Sequence, residues 1–342
     1  MLLSRETSTM TRIFSTALFI FLFTSFSVFT VCSANAEPVK LTPMGMMTGG
    51  PQGTYYQFGL NLKELMSHNG IDLSVFNSDG SVSNVYAVYK RPRTQMGIVQ
   101  SDVLAFVAKI ETDPELQKIA RKMKMVFPLY NEEIHLVGKK DITGFDDLQG
   151  KNVAIGQEGS GTYLTAKLLF KVSGIQPSNM VTVGTTDALE QLKAGTVDAM
   201  FYVAGYPVKL FSEQISDADN LHVVPIENQA IVDFYPEGEI PGATYSWQPE
   251  PVNTVAVKAV LVSYDFRNAN CRNVGSFATL LHDNLQWLKE NGHQKWNSVD
   301  LNYPLKGWEQ YDCVKNRLNK NITRPTTIKD DNPILEAIKE ML

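Results

Sequence analysis

Apolar and polar segments alternate along the first third of the chain in a pattern that predicts strands followed by helices. Residues 39–46 form an apolar segment typical of a strand, and residues 54–69 carry apolar side chains at helical spacing. Two further units of strand, polar turn and helix follow before residue 110, with strands at 71–76 and 95–99. This alternation predicts a parallel or mixed α/β sheet with helices on its faces.

The same alternation resumes after residue 150, which indicates a second lobe built like the first. The predicted strands are 153–155, 180–183 and 197–203, and the predicted helices are 163–172, 186–193 and 206–215.

Extended segments at 126–129 and 134–137 lead out of the first lobe, and a predicted strand at 254–262 carries the chain back. Residues 235–252 are rich in Pro, Gly and Glu, which predicts a surface loop. Two crossings between lobes would form a hinge. We therefore expect lobe I to comprise 37–133 and 253–342, and lobe II to comprise 134–252.

Two glycine-rich turns, at 49–56 and 156–163, stand between a predicted strand and a predicted helix. Such a turn leaves backbone N–H groups pointing outward at a helix N-terminus, where they can bind an anion or a carbonyl oxygen. Ligands of open α/β sheets lie beyond the carboxyl ends of the strands, where these turns occur. We interpret the turns as two sides of one ligand site between the lobes.

Residues 1–36 have the pattern of a cleavable secretory signal peptide. Arg5 and Arg12 precede an apolar stretch at 13–31, and Ala34-Asn35-Ala36 is a small-residue cleavage motif. The alternatives are an uncleaved membrane anchor and lipidation of Cys32. Lipidation usually requires a small residue before the cysteine, and Val31 is bulky. The signal predicts an exported protein of the periplasm, and no later segment is apolar for long enough to cross a bilayer.

Composition narrows the classes of partner. The full chain carries a net charge of −5 at pH 7, and it lacks the basic stripe that a nucleic-acid partner would require. Two of its three cysteines, Cys271 and Cys313, lie beyond the signal segment. In an oxidising compartment such a pair favours a disulfide over two buried thiols.

Catalytic and metal-binding signatures are not found in the sequence. Gly156 and Gly161 have the spacing of a nucleotide-binding P-loop, but Thr162 and Tyr163 stand where that loop requires Lys and then Ser or Thr. The five histidines are scattered, and no C-x-x-C motif or histidine pair has zinc-ligand spacing. We therefore expect a non-enzymatic protein without a cofactor.

Several motifs, taken in order, are similar to those of one known family. They are 53–56 (GTYY), 80–84 (GSVSN), 97–102 (GIVQSD), 148–156 (LQGKNVAIG) with 159–162 (GSGT), 195–199 (GTVDA), 205–207 (GYP) and 240–245 (IPGATY). The chain resembles the substrate-binding subunits of tripartite ATP-independent periplasmic (TRAP) transporters, in the TRAP-associated extracytoplasmic immunogenic (TAXI) class. The resemblance covers most of the chain after the signal segment.

This resemblance implies a two-lobed periplasmic binding protein of type II, with a hinge and a central ligand cleft. It implies a solute receptor that closes on a small carboxylate-bearing solute, such as glutamate or 2-oxoglutarate, and delivers it to TRAP permease subunits in the membrane. Transport would then use an ion gradient and not ATP. We expect the receptor itself to be a monomer.

The candidate ligand-binding residues lie in these motifs and at the ends of the strands. They are Gly53, Thr54, Tyr55, Ser81, Asn84, Gln100, Ser160, Gly161, Thr162, Tyr202, Gly205 and Pro207.

Simpler roles remain open for some of the candidates. Ser81 is equally suited to capping a helix. Ser160 can cap its helix and contact a ligand at once, and the resemblance favours contact. Asp102 is better suited to capping than to contact with an anionic ligand. Arg91 and Arg93 can bind a carboxylate bidentately. They lie at the opposite end of the strand, which favours a solvated loop.

Two other functions share parts of this pattern. A binding protein for an ABC importer or a sensor kinase would have the same fold, and a neighbouring gene for an ATPase would favour that alternative. An exported transferase or hydrolase on a two-lobed scaffold is a more remote alternative, which product formation from a panel of acids would reveal.

Overall fold

The computed structural model describes residues 42–109 and 113–319, and the structural statements that follow concern these residues. The predicted signal peptide at 1–36 lies outside them. Within the described ranges, no helix combines the length and apolar character needed to span a membrane.

The secondary structure alternates as the sequence predicts. The strands are β1 (Thr42–Met47), β2 (Ile71–Phe76), β3 (Met96–Gln100), β4 (Met123–Lys139), β5 (Asn152–Ala154), β6 (Asn179–Val181), β7 (Ala199–Ala204), β8 (Leu221–Val223), β9 (Glu237–Ile240) and β10 (Val252–Tyr264). The helices are α1 (Thr54–Ser67), α2 (Ser81–Lys90), α3 (Ser101–Lys109), α4 (Pro114–Ala120), α5 (Gly161–Ser173), α6 (Thr185–Ala194), α7 (Lys209–Gln214), α8 (Gln229–Val232), α9 (Asn268–Asp283), α10 (Leu285–Asn291) and α11 (Asp312–Leu318). Short 3-10 helices cover Phe145–Leu148, Asp217–Asp219 and Gln294–Ser298.

The strands form one sheet in the order β2-β1-β3-β10-β4-β7-β5-β6, with β8 beside β4 and β9 beside β10. Parallel pairs occur at both ends, where β1 pairs with β2 and β3, and β5 pairs with β6 and β7. The long strands β4 and β10 run antiparallel to each other in the centre. The sheet confirms the predicted mixed α/β fold.

Strand β4 corrects one detail of the sequence prediction. The sequence predicted two separate extended segments, at 126–129 and 134–137, but β4 is continuous over 17 residues and includes the polar residues between them. Its first part pairs with β10 from Glu133↔Ala256 to Met123↔Tyr264, and its last part pairs with β7. The polar interruption is tolerated because Glu132 and Glu133 find partners inside the protein, as shown below.

Buried apolar side chains form four clusters that fall into two sets. The buried members of two clusters come only from residues before 131 and after 258. The buried members of the other two come only from residues 134–257. Each set encloses its own core, which is the basis for the two lobes named below, and the boundaries at 133 and 253 stay a prediction.

Helices α9 and α11 close the end of the first lobe. Cys271 of α9 and Cys313 of α11 form a disulfide with their Cα atoms 5.5 Å apart. Both cysteines pack against the first-lobe core formed around Phe58 and Trp296. The disulfide therefore ties the last described helix to the body of the lobe.

Candidate ligand-binding site

A cavity of about 330 Å³ lies at the carboxyl ends of the strands, with both lobes in its wall. This volume is at the lower end of the range for small-molecule sites. The first lobe contributes 49–55, 78–81, Gln100 and Glu132, and the second lobe contributes 156–157, 160–162, 184–187, 202–204 and Leu210.

Four helices begin at the cavity wall. Their N-caps are Gly53 of α1, Gly80 of α2, Ser160 of α5 and Gly184 of α6. The three glycine caps supply no side-chain hydrogen bond to their helices. Helix N-termini stabilise anions because their first N–H groups lack partners within the helix and the helix dipole is positive there.

The hydroxyl groups of the second-lobe turn are used within the protein. Ser160 Oγ accepts a hydrogen bond from Tyr163 N at 3.1 Å and donates one to Gln157 O at 2.7 Å. Thr162 Oγ1 accepts from Val203 N at 3.1 Å. These residues therefore shape the start of α5, and what they present to the cavity is chiefly backbone.

Gln100 has the clearest unmet hydrogen-bonding capacity in the wall. Its side chain ends β3 and is 2% exposed, yet neither amide atom has a hydrogen-bond partner among the described residues. A β-carbon built on Gly161 would lie 1.3 Å from Gln100 Oε1, so the amide lies directly against the backbone of the other lobe. Leaving buried amide atoms unpaired costs about 1–3 kcal/mol each, which a bound ligand can recover.

Tyr55 and Glu132 form a buried pair in the wall. Tyr55 Oη donates to Glu132 Oε2 at 2.6 Å. Burial is the main cause that raises the pKa of the Glu132 carboxyl well above its usual range, and the charges of Asp102 and Glu133 raise it further. Burial likewise raises the pKa of the Tyr55 hydroxyl.

Tyr202 of β7 reaches from the second lobe to the first-lobe turn. A β-carbon on Gly53 would lie 2.5 Å from Tyr202 Oη. Burial raises the pKa of the Tyr202 hydroxyl, so it remains a neutral donor. The absence of a side chain at Gly53 is what allows this approach.

Contacts between the lobes surround the cavity. Val82 N and Ser83 N donate to Gly159 O at 3.2 and 3.3 Å, and Thr54 Oγ1 donates to Gly205 O at 2.5 Å. Gly159 has a φ of 85°, a conformation that favours glycine. The described conformation is therefore one in which the lobes have closed on each other.

A buried carboxylate lies in this contact between the lobes. Thr165 Oγ1 and Tyr235 Oη, both of the second lobe, donate to Asp102 Oδ2 at 2.7 and 3.4 Å. Val103 N donates to its other oxygen at 2.8 Å. Burial raises the pKa of Asp102 to about 6, although these hydrogen bonds oppose the shift.

The structure brings most of the candidates predicted from sequence into one wall. Gly53, Thr54, Tyr55, Ser81, Gln100, Ser160, Gly161, Thr162 and Tyr202 line the cavity. Ser81 Oγ also accepts from Gln100 N at 3.1 Å, which fixes the end of β3.

Asn84, Gly205 and Pro207 are not among the wall residues. Asn84 donates to Thr48 O at 2.8 Å and Ile98 O at 2.7 Å, so it joins β1 to β3 beneath the cavity. Gly205 lies against the ring of Tyr130, and Pro207 O accepts from His293 Nε2 at 3.3 Å. Their roles in the structure are contacts within and between lobes.

Sequence reasoning missed several wall residues. Glu132 is the most important, and the signal was a pair of adjacent acids inside an otherwise apolar strand pattern. The turn at 184–187, where α6 begins, also lines the cavity and was not among the predicted site residues. Arg91 stacks on the Phe76 ring at 3.9 Å and lies outside the wall, as the loop prediction implied.

The charge of the wall is unusual for an anion site. Asp79, Glu132 and Asp187 are the acidic side chains of the wall, and no Lys or Arg is among its described residues. In the described ranges, no cluster of three or more His, Cys, Asp or Glu residues could hold a metal ion. An anionic group would therefore be held by backbone N–H groups, hydroxyls and the Gln100 amide.

Solved structures place this fold in a known class. The periplasmic binding protein BugD matches with a TM-score of 0.54 at 10% identity, over 88% of this chain and 97% of that one. Tv2483 bound to L-arginine matches with a TM-score of 0.48 at 12% sequence identity, over 77% of this chain and 94% of that one. A histidine kinase sensor domain similar to periplasmic binding proteins matches with a TM-score of 0.47 at 15% sequence identity, over 77% of this chain and 99% of that one. The fold is that of the type II periplasmic binding proteins.

The family assignment comes from the sequence itself. The model of the NMT1-like family matches residues 46–303, a range that begins in β1 and ends after the 3-10 helix Gln294–Ser298. The chain belongs to the NMT1-like family.

Proposed function

We propose that this protein is an exported solute receptor that binds a small carboxylate-bearing solute by closing its two lobes. The fold of the periplasmic binding proteins supports this function, as does a cavity walled by both lobes. The observation that carries it is the Gln100 side chain, which is buried in the wall with both amide atoms unpaired. Leaving these atoms unpaired costs free energy that a hydrogen-bonding group of a bound solute would recover.

The class of solute follows from the helix N-termini. Four of them meet the cavity, and each favours negative charge by roughly 0.3–1 kcal/mol. No Lys or Arg is among the described wall residues, so the N-termini of α1, α5 and α6, the Gln100 amide and the Tyr202 hydroxyl would supply the donors to a carboxylate. A small organic acid or an amino acid meets these requirements.

The partner is a proposal that rests on the TAXI resemblance. On that basis the receptor is periplasmic and delivers its solute to membrane-embedded TRAP permease subunits. Binding proteins of ABC importers and sensor kinases share the fold, so the neighbouring genes decide between these partners. A gene for a many-helix permease supports the TRAP proposal, and a gene for an ATPase contradicts it.

A thermal-shift screen of dicarboxylates, keto acids and amino acids identifies the ligand, and Gln100→Met tests the site. Loss of a hydrogen bond to a charged group costs about 1.5–3 kcal/mol, or about 10- to 150-fold in Kd. Because the variant removes two buried unpaired atoms, its ligand-free melting temperature should equal or exceed that of the wild type. Gln286→Met, at an exposed position of α10, is the matched control.

Two results would contradict the proposal. One is wild-type affinity in Gln100→Met, since it would mean that the amide does not contact the solute. The other is an unchanged radius of gyration when saturating ligand is added to ligand-free protein, since closure should make the molecule more compact.

A further inference from the structure

Glu132 is a buried acid in the cavity wall that the binding scheme above leaves without a role. It is 2% exposed, and its one hydrogen bond from the described residues comes from Tyr55. A buried carboxylate normally needs a cation or several hydrogen bonds to remain ionised. Among the described residues, Glu132 has neither a paired cation nor several hydrogen bonds.

The nearest cation is engaged elsewhere. Lys295 Nζ lies 2.7 Å from both carboxylate oxygens of Glu133, and this ion pair is itself buried. Lys295 also lies 3.5 Å from the centre of the Tyr206 ring. Its charge is therefore compensated by Glu133, and the neighbouring Glu132 gains little from it.

The remaining groups around Glu132 do not compensate a negative charge. Asp102 of α3 and Glu133 of β4 are acids whose charges disfavour ionisation of Glu132. The other titratable groups that interact with it are neutral hydroxyls at neutral pH, namely Tyr55 of α1, Tyr130 of β4 and Tyr202 of β7.

We propose that Glu132 faces the closed cavity as a neutral carboxylic acid and donates a hydrogen bond to an oxygen of the bound solute. This inference rests on the proposed function, because it assigns a role within the same cavity. Tyr55 occupies Oε2 as a donor, so the proton lies on Oε1 and is directed to a ligand acceptor. In a wall without Lys or Arg, a neutral acid adds a donor where an ionised one would repel an anionic ligand.

The protonation state can be tested without any ligand by comparing wild type with Glu132→Gln. Glutamine has the shape and neutrality of the protonated acid but cannot ionise. Free glutamate has a pKa of about 4.3. Between that value and the raised folded pKa, the unfolded state releases a proton that the folded state keeps, so wild-type stability falls as pH rises.

The expected result is that the wild-type folding constant falls relative to that of Glu132→Gln as pH rises above about 4.3, approaching a tenfold loss per pH unit until the raised pKa of the folded state is reached. Glu158→Gln, which changes an exposed acid of the 156–163 turn, should follow the wild-type pH profile. Parallel profiles for wild type and Glu132→Gln would overturn the proposal, since Glu132 would then titrate normally.

The donor role is tested by calorimetry with 2-oxoglutarate and L-glutamate as probes, between pH 5 and pH 8.5. Wild-type affinity should weaken at the upper end of this range, and Glu132→Gln should abolish that dependence. Glu132→Ala should weaken binding more than tenfold at pH 5, where wild-type Glu132 carries the donor proton, and the difference from wild type should shrink as pH rises. Loss of binding in Glu132→Gln at all pH values would instead show an ionised Glu132 paired with a ligand cation, and would overturn the proposal.

The stability experiment and the binding experiment together distinguish a failure of this inference from a failure of the proposed function. If neither probe nor any other acid of the screen binds wild-type protein, the proposed solute class and the donor role both fail. The stability profile still decides whether Glu132 is neutral, because it requires no solute.

Discussion

Replacing Gly161 with alanine tests whether lobe closure presses α5 against Gln100. The added β-carbon would lie 1.3 Å from Gln100 Oε1 and 2.3 Å from its Cδ. Ordinary contacts between such atoms are about 3.5 Å, so one group must move by about 2 Å. Gln100 belongs to the first lobe and Gly161 to the second, so incomplete closure relieves the overlap and leaves both cores intact.

The magnitude follows from what incomplete closure removes. If Gln100 alone loses its hydrogen bond to a charged ligand group, the cost is about 1.5–3 kcal/mol, or about 10- to 150-fold in Kd. Any loss of hydrogen bonds from the N–H groups of α5 to the ligand adds to this free-energy cost. The ligand-free protein should keep its melting temperature, because alanine is a better helix former than glycine by up to about 1 kcal/mol.

Calorimetry with the ligand found by screening measures the affinity, and thermal unfolding measures the stability. Gly144→Ala is the matched control, since a β-carbon there meets no atom within 4 Å. Wild-type affinity in Gly161→Ala would refute the reasoning, because ligand binding would then not need α5 and Gln100 in contact. A ligand-free melting temperature well below that of the control would also refute it, because the overlap would then act on the fold and not on closure.

Two further predictions concern stability. Replacing both Cys271 and Cys313 with alanine opens a loop with a sequence separation of 42. From the loop-closure entropy, the free energy of unfolding should fall by about 4 kcal/mol. Urea unfolding measures this loss, and a value below about 1 kcal/mol would contradict the prediction. For Asp102, whose pKa burial raises from 3.8 to about 6, the stabilising contribution is present below pH 3.8 and is lost as pH rises through 6. Wild type should therefore lose about 3 kcal/mol relative to Asp102→Asn between pH 3.8 and pH 6, and equal slopes in unfolding experiments would show that Asp102 titrates normally.

The position of the cavity that forms the candidate site could be predicted from local sequence patterns. The turns at 49–56 and 156–163 combine glycines with polar residues between an apolar strand and a helix, and this chemistry is local. Both turns line the same cavity, together with Ser81, the first residue of α2, and Gln100, the last residue of β3. What such a pattern cannot give is the direction in which each side chain points.

The hydrogen-bond partners of polar side chains could not be predicted from the sequence. The hydroxyls of Ser160 and Thr162 were natural ligand candidates, but both are engaged by nearby backbone groups. Asn84 was equally plausible, and its amide instead joins two strands. A polar side chain can satisfy its capacity with the protein or with a ligand, and only the positions of competing partners decide between them.

The sequence by itself determined the alternation of strands and helices, the predicted mixed α/β sheet and the glycine-rich helix starts, because these depend on periodicity and turn chemistry over a few residues. Tertiary structure alone decided that β4 continues through Glu132 and Glu133 and that Lys295 pairs with Glu133 across 162 positions of chain. It also decided that the Gln100 amide lies against Gly161 without a hydrogen-bond partner in the part of the chain that the structure describes. Burial and charge compensation depend on residues distant in sequence, so the chemistry of the cavity appears only when the chain is folded.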